Sequence, residues 1–375
     1  MIYRFDDIAY NITTKRVPTP DDNARYIGLE HLDPGELYVK RYGSNVDLKG
    51  DKLVMTKGDI LFGKRNTYLK RVAIAPFDGL FSAHGMIFHP KEDVIDKRYF
   101  PFFINSDAFM DEAIRISVGS LSPTVNWKDL KDLKFDIPPI EEQKQLADKL
   151  WIAYDLKSKY ANLVESIDEM VKSQFVEMFG TLDNHPEEYA VKTLGNISEC
   201  YAGATPSTKV KEYWDDGTIP WMSSGEVHMG HVTETESKIT ESGYNHTSTK
   251  MVPVHSVVIA LAGQGKTRGK VAITEIPLCT NQSLCAIVPS KDIHYEYLYH
   301  NLKGRYFELR GMAGDVNGRG GLNLKIVQSI KVIVPPIDKQ NKFVAIAEQA
   351  DKSKFELKKS IEAIDKVIKS LINNI

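Results

Sequence analysis

The chain has 375 residues, 42% hydrophobic and 26% charged, with a formal net charge of −2. That length suits two domains of ordinary size, and the composition is that of a globular chain, neither disordered nor membrane-embedded. The near-neutral charge excludes a uniformly basic nucleic-acid binder but leaves room for local basic patches, because charge acts over about a Debye length.

Residues 1–136 read as a first globular part, with β-rich stretches broken by Gly, Pro, Asn and Asp. Its opening, Met1 to Asp7, is acidic where a signal peptide is basic and then apolar. Within it, Asp59 to Phe62 and Val72 to Ile74 read as strands flanking a basic loop, Gly63 to Arg71, that carries no acid. Residues 137–180 follow as a long helix. A short strand, Leu133 to Ile137, runs into Pro138-Pro139, which stops the strand and suits a helix start. Glu141 and Glu142 sit where the helix dipole favours acids, and no Gly or Pro follows until Gly180.

Residues 181–334 read as a second globular part. Val257 to Leu261 and Val271 to Ile273 are strands, and the loop between them, Ala262 to Lys270, is again basic and acid-free. Residues 335–375 form a second long helix after the strand Ile330 to Val334 and Pro335-Pro336.

The order is a repeat. Ile137-Pro138-Pro139-Ile140-Glu141-Glu142-Gln143 recurs 197 residues on as Val334-Pro335-Pro336-Ile337-Asp338-Lys339-Gln340. The offset holds without a gap from Asn126/Asn323 to Lys172-Ser173/Lys369-Ser370. Both helices carry apolar residues at alternating spacings of four and three. In the first the seam positions are Leu146, Leu150, Ala153, Lys157, Tyr160, Val164, Ile167, Val171, Gln174 and Met178, apolar but for Lys157 and Gln174. In the second they are Phe343, Ala347, Ala350, Lys354, Leu357, Ile361, Ile364, Ile368, Leu371 and Ile375. Seams this long usually pair with another helix. The expected class is α+β: two globular α/β-mixed parts separated by two long antiparallel coiled-coil helices, with a pseudo-two-fold internal repeat. Lys157 and Lys354 occupy one matched seam position. In an antiparallel pair they are expected within about a turn of each other, snorkelling or pairing with acids such as Asp155 and Glu356, and setting the register.

Ala260 to Thr267 fits a relaxed P-loop pattern, but a P-loop must open a helix and this segment runs into a strand. The two basic loops read better as DNA-contacting. Lys and Arg neutralise phosphates, while Arg, Asn and Gln make bidentate contacts to base edges. The candidates are Lys64, Arg65, Asn66, Tyr68, Lys70 and Arg71 in the first copy, and Gln264, Lys266, Thr267, Arg268 and Lys270 in the second. Ser223 and Ser224 join them, as do Asn317 and Arg319 in the glycine-rich run Gly311 to Gly321, whose counterpart is Gly119 to Pro123. His228 and His231 lie on a glycine-containing loop with no nearby Cys, so no metal site is expected. Cys200, Cys279 and Cys285 are too few for a disulfide framework. No nucleophile–base set stands out, and no catalytic residue is expected.

The whole pattern resembles the specificity subunit of type I restriction-modification enzymes, in which two variable globular domains each end in Pro-Pro-Ile-x-x-Gln and a long helix. Gly203-Ala204-Thr205-Pro206-Ser207, Tyr213-Trp214, Ile219 to Ser224 and Asn281-Gln282 are similar to a common opening of that family's target recognition domains. The first copy, with Tyr26 to Leu32 and no Gly-x-Thr-Pro, resembles a different class. The resemblance implies a non-catalytic reader of a bipartite, asymmetric duplex DNA target; the few cysteines and the acidic opening lead to the expectation of a reducing cytoplasm. The resemblance implies two modification (methyltransferase) subunits and further restriction (translocase and nuclease) subunits as partners. It also implies no cofactor on this chain, with S-adenosylmethionine, ATP and Mg used by those partners. A coiled-coil protein-interaction scaffold without DNA specificity is the alternative.

Overall fold

The computed structural model describes residues 1–263, 266–312 and 321–373. The two long helices run from Ile140 to Phe179 and from Ile337 to Asn373. Each starts directly after its Pro-Pro pair. The Pro139 carbonyl accepts from the amides of Glu142 and Gln143, and Pro336 accepts from Lys339 and Gln340, so proline fills the capping position, where its missing N–H costs nothing.

The chain separates into two compact units, residues 1–162 with 357–375, and residues 163–356. Each takes one globular part and a stretch of both long helices.

In the first unit, strands Ala9–Ile12, Met86–Pro90, Ile60–Phe62 and Val72–Ile74 lie side by side in that order, all antiparallel. A second sheet orders Lys15–Arg16, Lys52–Met55, Gly79–Phe81 and Tyr26–Ile27, the last pair parallel. The first sheet is buried on both faces. One face meets Phe100, Phe103, Phe109 and the helix residues Ala147, Leu150 and Tyr154; the other meets Leu53, Met55 and Phe81. Ile368, Leu371 and Ile372 of the second long helix close onto the same core. Lys157 forms an ion pair with Asp365 at 2.8 Å. Earlier in the first helix, Ala147, Leu150 and Tyr154 share their core with the later residues Ile368, Leu371 and Ile372, so numbers rise along one helix as they fall along the other: the two run antiparallel here.

The second unit repeats the plan. Strands Ser198–Ala202, Leu284–Pro289, Val257–Ala260 and Val271–Thr274 follow the same order, and the short parallel strand His231–Val232 extends the edge. A separate sheet orders Ser237–Ile239, Ile219–Met222 and Cys279–Thr280. Val171 and Phe179 pack into one core with Phe343, Val344, Ala347 and Ala350. Lys354 pairs with Asp168 at 2.7 Å, again with the helices antiparallel.

The described seam residues are buried or half-buried in both helices, and Ile375 lies outside the described residues. The lysines depart from expectation. Lys157 faces Asp365, not Lys354, and Asp155 is occupied by the Tyr38 hydroxyl. Each lysine meets the repeat-mate of the other's acid, since Asp168 and Asp365 are themselves equivalent positions. Two ammonium groups opposite each other would repel, whereas this register turns both positions into ion pairs.

Gln143 and Gln340, which end the repeated motif, are buried clamps. The Gln143 amide donates to the carbonyls of Pro138 (2.8 Å) and Val94 (3.0 Å) and accepts from the Asp96 amide (2.7 Å). Gln340 does the same with Pro335 (2.8 Å), Asp292 (3.0 Å) and His294 (2.8 Å). In each copy one side chain ties the start of the long helix to a loop nearly fifty residues away and satisfies backbone groups that burial would otherwise orphan.

Candidate nucleic-acid interface

The first basic loop joins strands Ile60–Phe62 and Val72–Ile74. The Gly63 amide donates to the Arg71 carbonyl at 2.9 Å, closing its base. Asn66 and Lys70 both take left-handed conformations (φ 54° and 47°) around a 3-10 turn at Thr67–Leu69. The buried Thr67 hydroxyl donates to the Lys64 carbonyl at 2.9 Å, so the turn is held from inside.

The segment Gly119 to Pro123 lies against this loop. The Asn66 amide donates to the Pro123 carbonyl (2.7 Å), the Val125 amide to the Lys64 carbonyl (3.0 Å), and Arg65 reaches the Ser122 hydroxyl (3.3 Å). The two segments singled out separately in the sequence form one surface here, with Tyr68 and Leu121 exposed on it. Lys64 is half-buried, and desolvation, with Lys15 nearby, lowers its pKa. Lys15 therefore belongs to the same positive patch; its neighbour Arg16 in a basic pair was the only sequence signal for it. Lys70 differs. It is held by Asp107 at 3.3 Å and Asp111 at 3.8 Å, which cancels much of its positive field.

The second basic loop leaves strand Val257–Ala260 and returns through a turn at residues 266–269 to strand Val271–Thr274. No helix opens there, so the P-loop pattern lacks the amide cradle that phosphate binding needs. Gly269 (φ 82°) donates to the Ala260 carbonyl at 2.9 Å. A β-carbon on Gly269 would lie 3.2 Å from the Arg310 amide, so helix Tyr306–Gly311 sits directly against the loop. The Tyr306 hydroxyl donates to the Lys266 carbonyl at 3.1 Å, leaving the Lys266 side chain exposed. Gln264, Asn317 and Arg319 lie outside the described residues.

The segments that carry the family resemblance converge. Gly203 approaches Thr280 so closely that a β-carbon would lie 2.0 Å from its carbonyl oxygen, so no other residue fits. The Ala204 amide donates to the Thr280 carbonyl (2.9 Å), Trp221 donates its indole N–H to the Ala204 carbonyl (3.1 Å), and Trp214 packs edge-on against Trp221. The Thr205 hydroxyl donates to the Gln282 amide oxygen. The Asn281 amide donates to the Met222 carbonyl (3.0 Å), placing Ser223 beside it. Ser223 starts the 3-10 turn Ser224–Met229, where its amide donates to the buried Glu226 carboxylate (2.6 Å). Thr205 and Gln282 thus join Ser223 and Ser224 on a tryptophan-backed ledge, Gln282 exposed and the other three partly so; the sequence marked them as part of a motif but not as candidate contacts.

What the fold defines is one domain plan built twice. The family model for the type I restriction modification DNA specificity domain matches residues 2–164 and again residues 186–365, and the chain belongs to that family. The chain is 33% identical over 164 residues to the type I restriction enzyme EcoR124I/EcoR124II specificity subunit of Escherichia coli, a match covering 43% of this chain and 40% of that one. It is 28% identical over 213 residues to the MjaIX specificity subunit of Methanocaldococcus jannaschii, covering 55% and 48%. The chain thus spans less than half the length of these two relatives. The crystal structure of a type I restriction-modification system S subunit from M. genitalium shares the fold, with a TM-score of 0.57 at 15% identity over 99% of this chain and 94% of that one. Among the described residues, no helix is long and apolar enough to cross a membrane.

Proposed function

We propose that this chain is the DNA sequence-specificity subunit of a type I restriction-modification system. The observation that carries the reading is the doubled domain: one strand order built twice, with a basic loop between the same two strands of each copy. Residues 1–136 and 181–334 each read one half of an asymmetric duplex target. The first copy uses Lys64, Arg65, Asn66, Tyr68 and Arg71. The second uses Lys266, Thr267, Arg268 and Lys270 together with the ledge of Ser223, Ser224, Thr205 and Gln282. Residues 137–180 and 335–375 act as an antiparallel coiled coil that sets the spacing between half-sites, and Lys157–Asp365 and Lys354–Asp168 fix its register. The reader is non-catalytic. Two methyltransferase subunits bring S-adenosylmethionine, and restriction subunits bring ATP and Mg.

The test is to assemble the chain with its modification subunits and map the methylated sequence. Two readers on one face of B-DNA favour half-sites about 10 base pairs apart, centre to centre. Exchanging residues 181–334 for another recognition domain changes one half-site and spares the other. If both change, or neither does, the modular reading is wrong.

A further inference from the structure

The second unit holds a group of ionisable side chains that DNA reading does not use. His231 lies on the edge strand His231–Val232, which pairs in parallel with Val271–Thr274. That pairing sets Glu275, the next residue of the neighbouring strand, beside it, and the His231 Nδ1 to Glu275 Oε1 distance is 2.7 Å. Helix Tyr295–Gly304 packs across the same strand and presents Glu296 from its first turn. One ligand atom from each of His231, Glu275 and Glu296 lies within 4.8 Å of the others.

Glu296 makes the arrangement unusual. It is 7% exposed, yet its carboxylate has no hydrogen-bond or ion-pair partner among the described residues. Buried carboxylates are ordinarily paired or bound to a metal, because desolvating an uncompensated charge costs several kcal/mol. Its surroundings add to the demand for a cation. Glu275, Glu348 and Asp351 place negative charge around it, and His231 attracts it.

We propose that His231, Glu275 and Glu296 bind one divalent transition-metal ion of the zinc class, which ties the sheet edge to helix Tyr295–Gly304. One imidazole and two carboxylates form a mixed nitrogen–oxygen set suited to such an ion. Ligand atoms around a tetrahedral zinc lie roughly 3.4 Å apart, so about an ångström of side-chain adjustment closes the site, and water completes the shell. The role is structural: His231 follows the turn Ser224–Met229, so the ion braces the segment that carries Ser223 and Ser224. Local spacing sets His231 beside His228, not beside the two acids. His228, three residues before His231, is exposed and contacts the Gly225 carbonyl, whereas the two acids come from 44 and 65 residues further along the chain.

The experiment uses the full tag-free chain, stripped with chelator, dialysed, and titrated with zinc chloride. Bound metal is measured by mass spectrometry and stability by thermal melting. The expected result is one tightly held zinc per chain and a melting temperature several degrees higher. Glu296→Gln and His231→Ala should each weaken binding at least tenfold and abolish the shift, while His228→Ala leaves both intact. Glu296→Gln keeps the side-chain shape, and circular dichroism checks its folding. Absence of saturable zinc binding by the wild-type chain overturns the proposal, as does wild-type binding by both Glu296→Gln and His231→Ala.

Discussion

The two units share a frame and differ in what they press against it. In the first, the long-helix residues Trp151 and Tyr154 face an aromatic group. Tyr38 lies 5.9 Å from the Trp151 ring and 5.3 Å from the Tyr154 ring, Phe102 lies 5.0 Å from Trp151, and the Tyr154 hydroxyl accepts from the Leu37 amide at 2.6 Å. In the second, the repeat-mates of Trp151 and Tyr154 are Glu348 and Asp351, and the helix beside them carries Glu296, His300 and Lys303. The seam lysines, their aspartates and the glutamine clamps are kept in both copies. Where each long helix meets its own globular part, by contrast, the two copies differ. A doubled scaffold can therefore keep its helical frame fixed while each globular part is rebuilt around it.

The cysteines offer the largest contrast, because Cys200, Cys279 and Cys285 all lie in the second unit. Burial pushes the Cys200 thiol up to about 11 and the Cys285 thiol up to about 12. Thiolate is the reactive form, so alkylation of the native protein at pH 8 should run roughly a hundredfold or more below that of a free thiol. Mild urea should release labelling only as the second unit opens, which makes the thiols a probe of one half alone. Fast labelling in the native state would mean that this core is open. The sign with pH follows: the native thiols keep their protons where unfolded ones lose them, so they remove stability from the second unit as pH rises from about 8.5 toward 12.

The clamps test the shared frame. Gln143→Leu and Gln340→Leu each strand buried backbone groups and should each cost about 2–3 kcal/mol in urea unfolding. Clearly unequal losses would break the equivalence of the two copies. The ion pairs come next. Lys157→Met and Lys354→Met should each cost about 1 kcal/mol or less, since the lysines are mostly buried but their aspartates are half exposed. Reversing one pair, Lys354→Asp with Asp168→Lys, should recover only part of that loss, because Asp351 also pairs with Lys354 at 2.7 Å and would repel the introduced carboxylate. A double mutant no better than the single ones would remove the register role.

The smallest effect separates the basic loops. Lys266→Ala should lower the salt dependence of DNA binding by the assembled methyltransferase by about one phosphate contact. Lys70→Ala should lower it by distinctly less, because Asp107 and Asp111 already hold that ammonium. Equal slopes would show that the acids release Lys70 when DNA arrives.

Much of this frame is readable from sequence because it is written in local spacing. The Pro-Pro helix starts, the four-three seam and the strand–loop–strand placement of both basic segments need only neighbouring residues. What escaped depends on long-range pairing. Nothing near Lys157 points to Asp365, nothing near Lys70 points to Asp107, and Gln143 reads as an ordinary polar helix residue until Val94 and Asp96 are folded against it. The ledge was half legible: its motif residues were recognisable, but only the fold shows Thr205 meeting Gln282 over Trp221.

The short strand pairs at the base of each globular part carry one more consequence. Ile2–Arg4 pairs with Lys134–Asp136, and Ala190–Thr193 pairs with Lys331–Val334, so each globular part begins and ends on adjacent hydrogen-bonded strands. Everything between those strands is a closed excursion from the helical frame. A recombination event with breakpoints in the two strands would deliver a whole foreign reader onto an unchanged pair of attachment points. The geometry makes such a gene fusion foldable in one step, so one globular part is exchangeable without rebuilding the other.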